Sequence, residues 1–267
     1  MTNLISQSFK NNEKKLVTFV TGGDPDLDTS LKIIKNIVNN GVDIIEIGMP
    51  FSDPMADGPT IQLSSNRAIS KGINLENIFT LASEAKKIKK SIPIILMGYY
   101  NLILYFGIEK FVKGCKENGV DGLIIVDLQP EEDKDLTNEL KKNNIDLIRL
   151  ITPTTDEDRL KLILKNASGF LYYVSVMGIT GQKSANLNEL ERSVKFIKQF
   201  TNLPVVPGFG IKNATDVNNI CKIADGAVVG SSIIKIIEEN LNNKEKMLSE
   251  IDKFTKDLKN GTIVWTG

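Results

Sequence analysis

Two carboxyl groups lie where the sequence predicts acid–base chemistry. Glu46 interrupts the apolar run 44–47, and Asp57 follows in the loop-like segment 48–60, which three prolines stiffen. Burial among isoleucines raises the pKa of a glutamate toward neutrality, as a general acid–base requires. The alternatives are a structural glutamate that pairs with a serine or a backbone donor, and an aspartate that only forms a turn.

The absence of histidine limits the remaining chemistry. It excludes Ser-His and Cys-His catalysis and histidine-based metal sites. The two cysteines, Cys115 and Cys221, form no CxxC pair, so no metal or redox motif is expected from them. We also expect no lysine within or at the end of a strand, which disfavours a Schiff-base aldolase.

Small residues that suit phosphate binding follow the last two predicted strands. Gly208 to Gly210 end the seventh, and Gly230 and Ser231 end the eighth and open a long helix. Backbone N–H groups at a helix N-terminus and a serine hydroxyl bind a phosphate dianion well, and barrels commonly hold phosphate in these two loops. Ordinary turn glycines are the alternative. The segment 175–183 contains two glycines and has the composition of a mobile lid, or of a merely flexible loop.

Composition and charge indicate a globular protein that binds neither nucleic acid nor an acidic membrane. Lys plus Arg and Asp plus Glu both number 33, which gives a formal net charge of zero. A nucleic-acid-binding protein normally has a basic excess. The N-terminal segment lacks a continuous apolar stretch, and no apolar run approaches the roughly 18 residues that cross a bilayer. We therefore expect a soluble cytoplasmic protein.

The elements that must position these residues are short apolar runs, which alternate with amphipathic segments. The runs are rich in β-branched residues and bounded by Gly, Pro or Asp, as strands buried on both faces of a parallel sheet are. Eight strand–helix units predict one (β/α)8 TIM barrel over 1–267, with its site at the carboxyl ends of the strands. The predicted strands are 16–23, 42–48, 92–98, 120–127, 145–152, 170–176, 203–210 and 224–231.

The segment 27–41 shows the helical pattern between these strands. Its apolar residues recur at a spacing of three to four, Asp28 or Thr29 is expected to cap its start, and Gly41 its end. A doubly wound sheet is the alternative architecture. It normally has a glycine-rich turn after its first strand, whereas here such turns follow the last three strands.

Seven motifs then carry a resemblance to a known family. IEIGMPFSDPMADGPTIQ (45–62) resembles the signature of the tryptophan synthase alpha subunit, and the other blocks occur in the same order. The resemblance extends from about residue 15 to residue 240 and implies a single (β/α)8 barrel with an extra N-terminal helix. It also implies a lyase that cleaves indole-3-glycerol phosphate to indole and glyceraldehyde 3-phosphate. The other blocks are FVTGGDP, LMGYYNLI, GVDGLIIVDL, VSVMGITG, PGFGI and DGAVVGSSIIKIIE.

The resemblance also assigns roles to individual residues. It implies that Glu46 is the catalytic acid–base, that Asp57 contacts the indole, and that the lid residue Thr180 meets the loop of Asp57. The loop 50–57 and the segment around Asn101 should face a beta subunit, in an alpha2beta2 assembly. Pyridoxal phosphate is expected on that beta subunit alone, and neither a cofactor nor a metal on this chain. The other substrate-binding positions that it implies are Phe19, Tyr172, Gly181, Gly210, Gly230 and Ser231.

Two further functions remain as alternatives. The same catalyst could work alone and release free indole, or a degenerate barrel could bind a phosphate ligand and only regulate a partner. Glu46 and Asp57 argue against the degenerate barrel, because both carboxyl groups are present. Gln129 stands where the family often has a proline, so we expect it to loosen the loop after the fourth strand and to affect subunit contact.

Overall fold

Short parallel strands occupy the apolar runs of the sequence. The computed structural model describes residues 3–11, 13–174, 183–208 and 210–264, and at 183–186 it describes the backbone alone. Every strand is buried almost throughout, which explains its uninterrupted apolar character. Within the described residues the strands are β1 Lys15–Thr21, β2 Ile44–Gly48, β3 Ile94–Gly98, β4 Gly122–Ile125, β5 Asp146–Leu147, β6 Arg149–Ile151, β7 Leu171–Val174, β8 Val205–Gly208 and β9 Gly226–Val229.

The sheet closes through a strand that is divided in two. Its order is β5-β4-β3-β2-β1-β9-β8-β7-β6, and its pairs are parallel. Ile148 separates β5, which pairs with β4, from β6, which pairs with β7. The Ile148 N–H still donates to Leu123 O at 2.9 Å. β5 and β6 are therefore the two halves of the predicted strand 145–152, and the (β/α)8 barrel is confirmed.

Helices follow the strands around the outside of the barrel. The prediction that Asp28 or Thr29 caps the first long helix was wrong, because Asp26 adopts an extended backbone and accepts the Thr29 N–H. No helix among the described residues is long and apolar enough to cross a membrane. The helices are α1 Leu4–Ser8, α2 Leu27–Asn39, α3 Pro59–Ser70, α4 Leu75–Ile88, α5 Tyr100–Phe106, α6 Ile108–Glu117, α7 Lys134–Asn143, α8 Glu157–Leu164, α9 Lys183–Ile197, α10 Ala214–Cys221, α11 Ser231–Glu239 and α12 Lys244–Gly261.

The first helix closes the amino-terminal end of the barrel. Ile5 of α1 is fully buried in the cluster that fills the barrel interior, together with Ile124 and Phe170. The Asn3 side chain caps α1 and donates to Asp121 O at 2.7 Å. The expected extra N-terminal helix is therefore present, and it leaves the carboxyl ends of the strands as the open face.

Strand alternation explains how an acidic residue enters the core. Successive side chains of a strand point to opposite faces. Ile44 belongs to the cluster inside the barrel, whereas Ile45 and Ile47 pack outside it with the helices. Glu46 and Gly48 share the face of Ile44, so the glutamate points into the barrel near its carboxyl-terminal end.

The expectation that no strand contains a lysine was wrong. Lys15 is the first residue of β1, only 3% exposed, and its Nζ lies 3.1 Å from Glu13 Oε2. The apolar run in the sequence begins only at Leu16, whereas the pairing of β1 with β9 begins one residue earlier, at Lys15. The run alone therefore did not indicate that Lys15 belongs to the strand. Lys15 lies at the amino-terminal end of β1, opposite the strand ends where Glu46 and the other predicted site residues lie.

Candidate active site

Glu46 is a carboxyl group buried in the barrel interior. It pairs in register with Phe19 of β1 and Ile95 of β3, and it is 0% exposed. Among the described residues neither of its oxygens has a hydrogen-bond partner. Burial raises the pKa of Glu46 to about 8, because an apolar interior disfavours the charged form. The group therefore holds its proton at neutral pH and is available as an acid.

Tyr172 lies across the barrel interior, on β7. Its pKa is raised by burial and then by the negative charges of Glu46 and Asp57, so both carboxyl groups lie within electrostatic reach of its hydroxyl. Gly208 of β8 makes room for the ring, because a methyl group there would lie 2.1 Å from Tyr172 Oη. The charges of Glu46 and Asp57 therefore both act on the Tyr172 hydroxyl.

Asp57 is held at the end of the loop between β2 and α3. Tyr99 Oη donates to Asp57 Oδ2 at 2.9 Å and accepts the Ala56 N–H at 3.0 Å. The Gln62 side chain of α3 donates to Asp57 O at 2.8 Å. Burial raises the pKa of Asp57, and the hydrogen bond from Tyr99 opposes this shift. The carboxylate is therefore placed by tertiary contacts, which go beyond the turn that was its alternative explanation.

A narrow apolar pocket adjoins Asp57 at the carboxyl ends of β1 to β4. Phe19 crosses its floor next to Gly48, where a methyl group would lie 2.6 Å from Phe19 Cζ. The cavity volume is about 20 Å³, which is room for roughly one water, so a bicyclic aromatic ring enters only if side chains move. The pocket is lined by Phe19, Thr21, Gly48, Met49, Asp57, Ile61, Ser65, Met97, Gly98, Tyr99 and Val126.

The start of α11 borders this pocket. Gly230 precedes the helix, Ser231 is its first residue, and no side chain of the described residues caps it. A methyl group on Gly230 would lie 3.1 Å from Phe19 Cβ, so the helix N-terminus abuts the pocket. Ser231 is exposed. Free N–H groups and the positive end of the helix dipole suit an anion at this position.

The loops after β8 and β9 meet, as a two-loop phosphate site requires. Ser232 Oγ donates to Ile211 O at 2.9 Å and thereby joins the start of α11 to the loop that contains Gly210. Gly210 is exposed and has φ +74°, a conformation that favours glycine. The other two predicted substrate residues, Thr180 and Gly181, lie outside the described residues, as does the predicted lid 175–183 apart from the backbone of Lys183.

Apolar side chains are exposed beside the site. Met55 of the Asp57 loop is 81% exposed, and Tyr105 of α5 is 95% exposed. Leu104 of α5 is also exposed, as is Asn101 near the start of that helix. Exposed apolar groups on neighbouring segments are typical of a protein-binding surface, and these are the two segments that the resemblance assigned to the partner.

Residues of α8 contact the loop after β4, at the position where Gln129 was expected to loosen the chain. Arg159 of α8 donates to the Gln129 side chain and forms an ion pair with Glu131. The Gln129 carbonyl also accepts the Glu132 N–H at 3.1 Å. The amide side chain gives the loop a tether that a proline cannot provide, because proline has no polar side-chain atom.

Sequence reasoning missed Tyr99. Its position directly after β3 predicted only that it lies on the active face, since strand ends converge there. Its hydrogen bond to Asp57 joins two loops that are distant in sequence, and no local pattern reports such a contact.

Comparisons with known proteins agree with this arrangement. Residues 5–263 match the family model described as tryptophan synthase alpha chain. The tryptophan synthase alpha chain of Petrotoga mobilis is 46% identical over 96% of this chain and 98% of the relative, and that of Zymomonas mobilis is 44% identical over 97% and 94%. The crystal structure of tryptophan synthase subunit alpha from Legionella pneumophila superposes with a TM-score of 0.91 at 32% identity, covering 98% of this chain and 99% of that one.

Proposed function

This chain belongs to the tryptophan synthase alpha chain family, and from that premise we propose that it cleaves indole-3-glycerol phosphate to indole and glyceraldehyde 3-phosphate. Family membership makes it a lyase of tryptophan biosynthesis with a beta-subunit partner. The observation that carries the specific reaction is the buried Glu46 carboxyl, which has no hydrogen-bond partner among the described residues and lies, with Asp57, within electrostatic reach of Tyr172.

Glu46 performs both proton transfers. The protonated carboxyl delivers its proton to indole C3, which places a positive charge on the indole ring nitrogen. The resulting carboxylate then takes the proton of the neighbouring glycerol hydroxyl. As the hydroxyl becomes an aldehyde, the bond between C3 and the glycerol carbon breaks and its electron pair returns to the ring. Glu46 ends protonated, so the cycle is balanced, and a pKa of about 8 suits a group that must both give and take a proton near neutral pH.

Asp57 stabilises the charge that develops in this step. Its carboxylate accepts the indole N–H, which becomes positively charged when C3 is protonated. The apolar pocket beside it, with Phe19 on its floor, receives the flat ring. Tyr172, which is 8% exposed, lies across the barrel interior within electrostatic reach of Glu46.

The phosphate binds at the junction of the loops after β8 and β9. Gly230 and Ser231 form the N-terminus of α11, whose backbone N–H groups can bind the phosphate. Gly210 adds its backbone N–H group from the loop that Ser232 joins to this helix start. Thr180 and Gly181 complete this set in the proposal. The start of α11 abuts Phe19, and the pocket lined by Phe19 also contains Asp57, so the phosphate end and the indole end of the substrate would lie in adjoining parts of the site.

The chain needs no metal or cofactor for this reaction, because Glu46 returns each proton and Asp57 balances the developing charge. Pyridoxal phosphate belongs to the beta subunit, which would dock on the exposed apolar side chains of the Asp57 loop and α5 in an alpha2beta2 assembly. The stand-alone lyase is not favoured, since the relatives are alpha chains of tryptophan synthase.

The test is to incubate the purified chain with indole-3-glycerol phosphate and to measure indole and glyceraldehyde 3-phosphate separately. We expect equal molar amounts of both products and a higher rate when the beta subunit is added. The same compound without its phosphate should react far more slowly. Absence of indole formation with and without the beta subunit would contradict the proposed reaction.

A further inference from the structure

Tyr99 occupies a rigid position between two functional segments. It lies directly after β3, immediately before α5, and is 3% exposed. Its ring packs against Phe51 of the Asp57 loop, with centroids 5.1 Å apart. Its hydroxyl is fully used, since it accepts the Ala56 N–H and donates to Asp57 Oδ2. A buried phenol with both of its hydrogen-bonding functions directed at one loop fixes that loop against the barrel.

The Asp57 loop has few other attachments. At its start the Met49 N–H donates to Met97 O at 2.8 Å, and at its end Gln62 holds Asp57 O. The other described hydrogen bonds of residues 50–56 stay within the loop, apart from the one that reaches Tyr99. The hydrogen bonds of the Tyr99 hydroxyl therefore fix the position of the end of this loop relative to β3.

The hydrogen bond also sets the state of the carboxylate. It occupies Oδ2, and no donor among the described residues is recorded on Oδ1, which can accept a donor from the pocket. Burial raises the pKa of Asp57, and the Tyr99 hydroxyl opposes that shift by stabilising the charged form. Loss of the hydroxyl frees the carboxylate to rotate and makes it easier to protonate.

We propose that Tyr99 is a positioning residue, which holds the Asp57 carboxylate in the orientation that accepts the indole N–H. The proposal rests on the proposed function, because it requires Asp57 to act on the substrate as a charged group. Tyr99 itself touches no reacting atom and acts through Asp57.

Tyr99→Phe removes the hydroxyl and keeps the ring that packs on Phe51. We expect kcat to fall about tenfold, the usual scale for losing a hydrogen bond to a charged group. The acidic limb of the pH–rate profile should move to higher pH, because Asp57 must be ionised, while the alkaline limb set by Glu46 should stay in place. Tyr173→Phe is the matched control, since Tyr173 is equally buried but donates to Ser193 at 3.0 Å outside the barrel.

A double-mutant cycle separates this role from a general effect on folding. In the Asp57→Asn background the effect of Tyr99→Phe on kcat should largely disappear, because the charge that the hydroxyl orients is absent. An equal loss in both backgrounds, or an unmoved acidic limb, would overturn the proposal. Wild-type kinetics of Asp57→Asn itself would instead refute the role that the proposed function gives to Asp57.

A second substitution keeps the test independent of stability. Replacing residue 99 by 3-fluorotyrosine retains the hydroxyl and makes it a stronger donor. The acidic limb should then move to lower pH, opposite to the shift in Tyr99→Phe. A shift in the same direction as Tyr99→Phe, or none, would show that the hydroxyl does not control the ionisation of Asp57.

Discussion

Glu46→Gln should change the pH dependence of folding stability. The carboxyl group is 0% exposed, has no hydrogen-bond partner among the described residues, and has its pKa raised from 4.5 to about 8. The unfolded chain therefore loses this proton near pH 4.5, whereas the folded chain keeps it until about pH 8. Because the folded state binds more protons across this interval, the stability of the wild-type protein falls as pH rises through it.

The size of the effect follows from the two pKa values. Each pH unit between them costs about 1.4 kcal/mol, so at pH 7 the ionisable carboxyl destabilises the fold by about 3 kcal/mol relative to its protonated form. Glutamine does not ionise and lacks this cost. Burying its amide has a cost of its own, but that cost is independent of pH. The difference in stability between variant and wild type should therefore grow with pH, whatever its starting value.

Urea unfolding at several pH values between 5 and 8 measures this difference. We expect the free energy of unfolding of Glu46→Gln minus that of wild type to increase by up to about 1.4 kcal/mol for each unit of pH. Other titrating carboxyls are common to both proteins and cancel. Glu132→Gln, which removes an exposed carboxyl, is the control for loss of one negative charge. Parallel pH dependences for wild type and Glu46→Gln would refute the placement of Glu46 in an apolar interior.

Three other substitutions test the remaining parts of the site. Asp57→Asn should lower lyase turnover less than loss of Glu46, because an amide oxygen still accepts the indole N–H but carries no full charge; steady-state kinetics would show this. Gly230→Asp should raise KM for the phosphorylated substrate about tenfold or more by opposing a dianion, while the neutral Gly230→Asn should raise it much less. Gly208→Ala should destabilise the protein by about 1–3 kcal/mol in urea unfolding and lower turnover, since its methyl would lie 2.1 Å from Tyr172 Oη.

The parts of the molecule that could be predicted are those that local pattern controls. An apolar run with glycine or proline at its ends forms a buried strand wherever it lies, so the strands were found within a few residues. Side chains two residues apart in a strand point to the same face, so Glu46 shares the face of Ile44, which lies inside the barrel. This placement needs no knowledge of contacts between distant segments. The grouping of Glu46 with Tyr172 follows once the barrel closes.

The parts that could not be predicted depend on contacts between distant segments. The strand is interrupted at Ile148 because β5 pairs with β4 while β6 pairs with β7. The residues of the run 145–152 do not indicate this change of pairing partner. Lys15 joins β1 because β9 is there to pair with it. The hydrogen bond from Tyr99 to Asp57 joins two loops, and the hydrogen bond from Arg159 to Gln129 joins two strand–helix units of the barrel. Each of these is a property of the assembled fold.

The acid–base role of Glu46 is tested most directly by the lyase turnover of Glu46→Gln at saturating indole-3-glycerol phosphate, measured beside the binding of the same substrate. Glutamine is nearly isosteric but neither delivers nor accepts the proton. We expect turnover to fall by about 10²–10⁴-fold or more, the usual contribution of general acid–base catalysis, with substrate affinity retained because the pocket and the start of α11 are unchanged. A folded Glu46→Gln protein that forms indole at close to the wild-type rate would contradict that role.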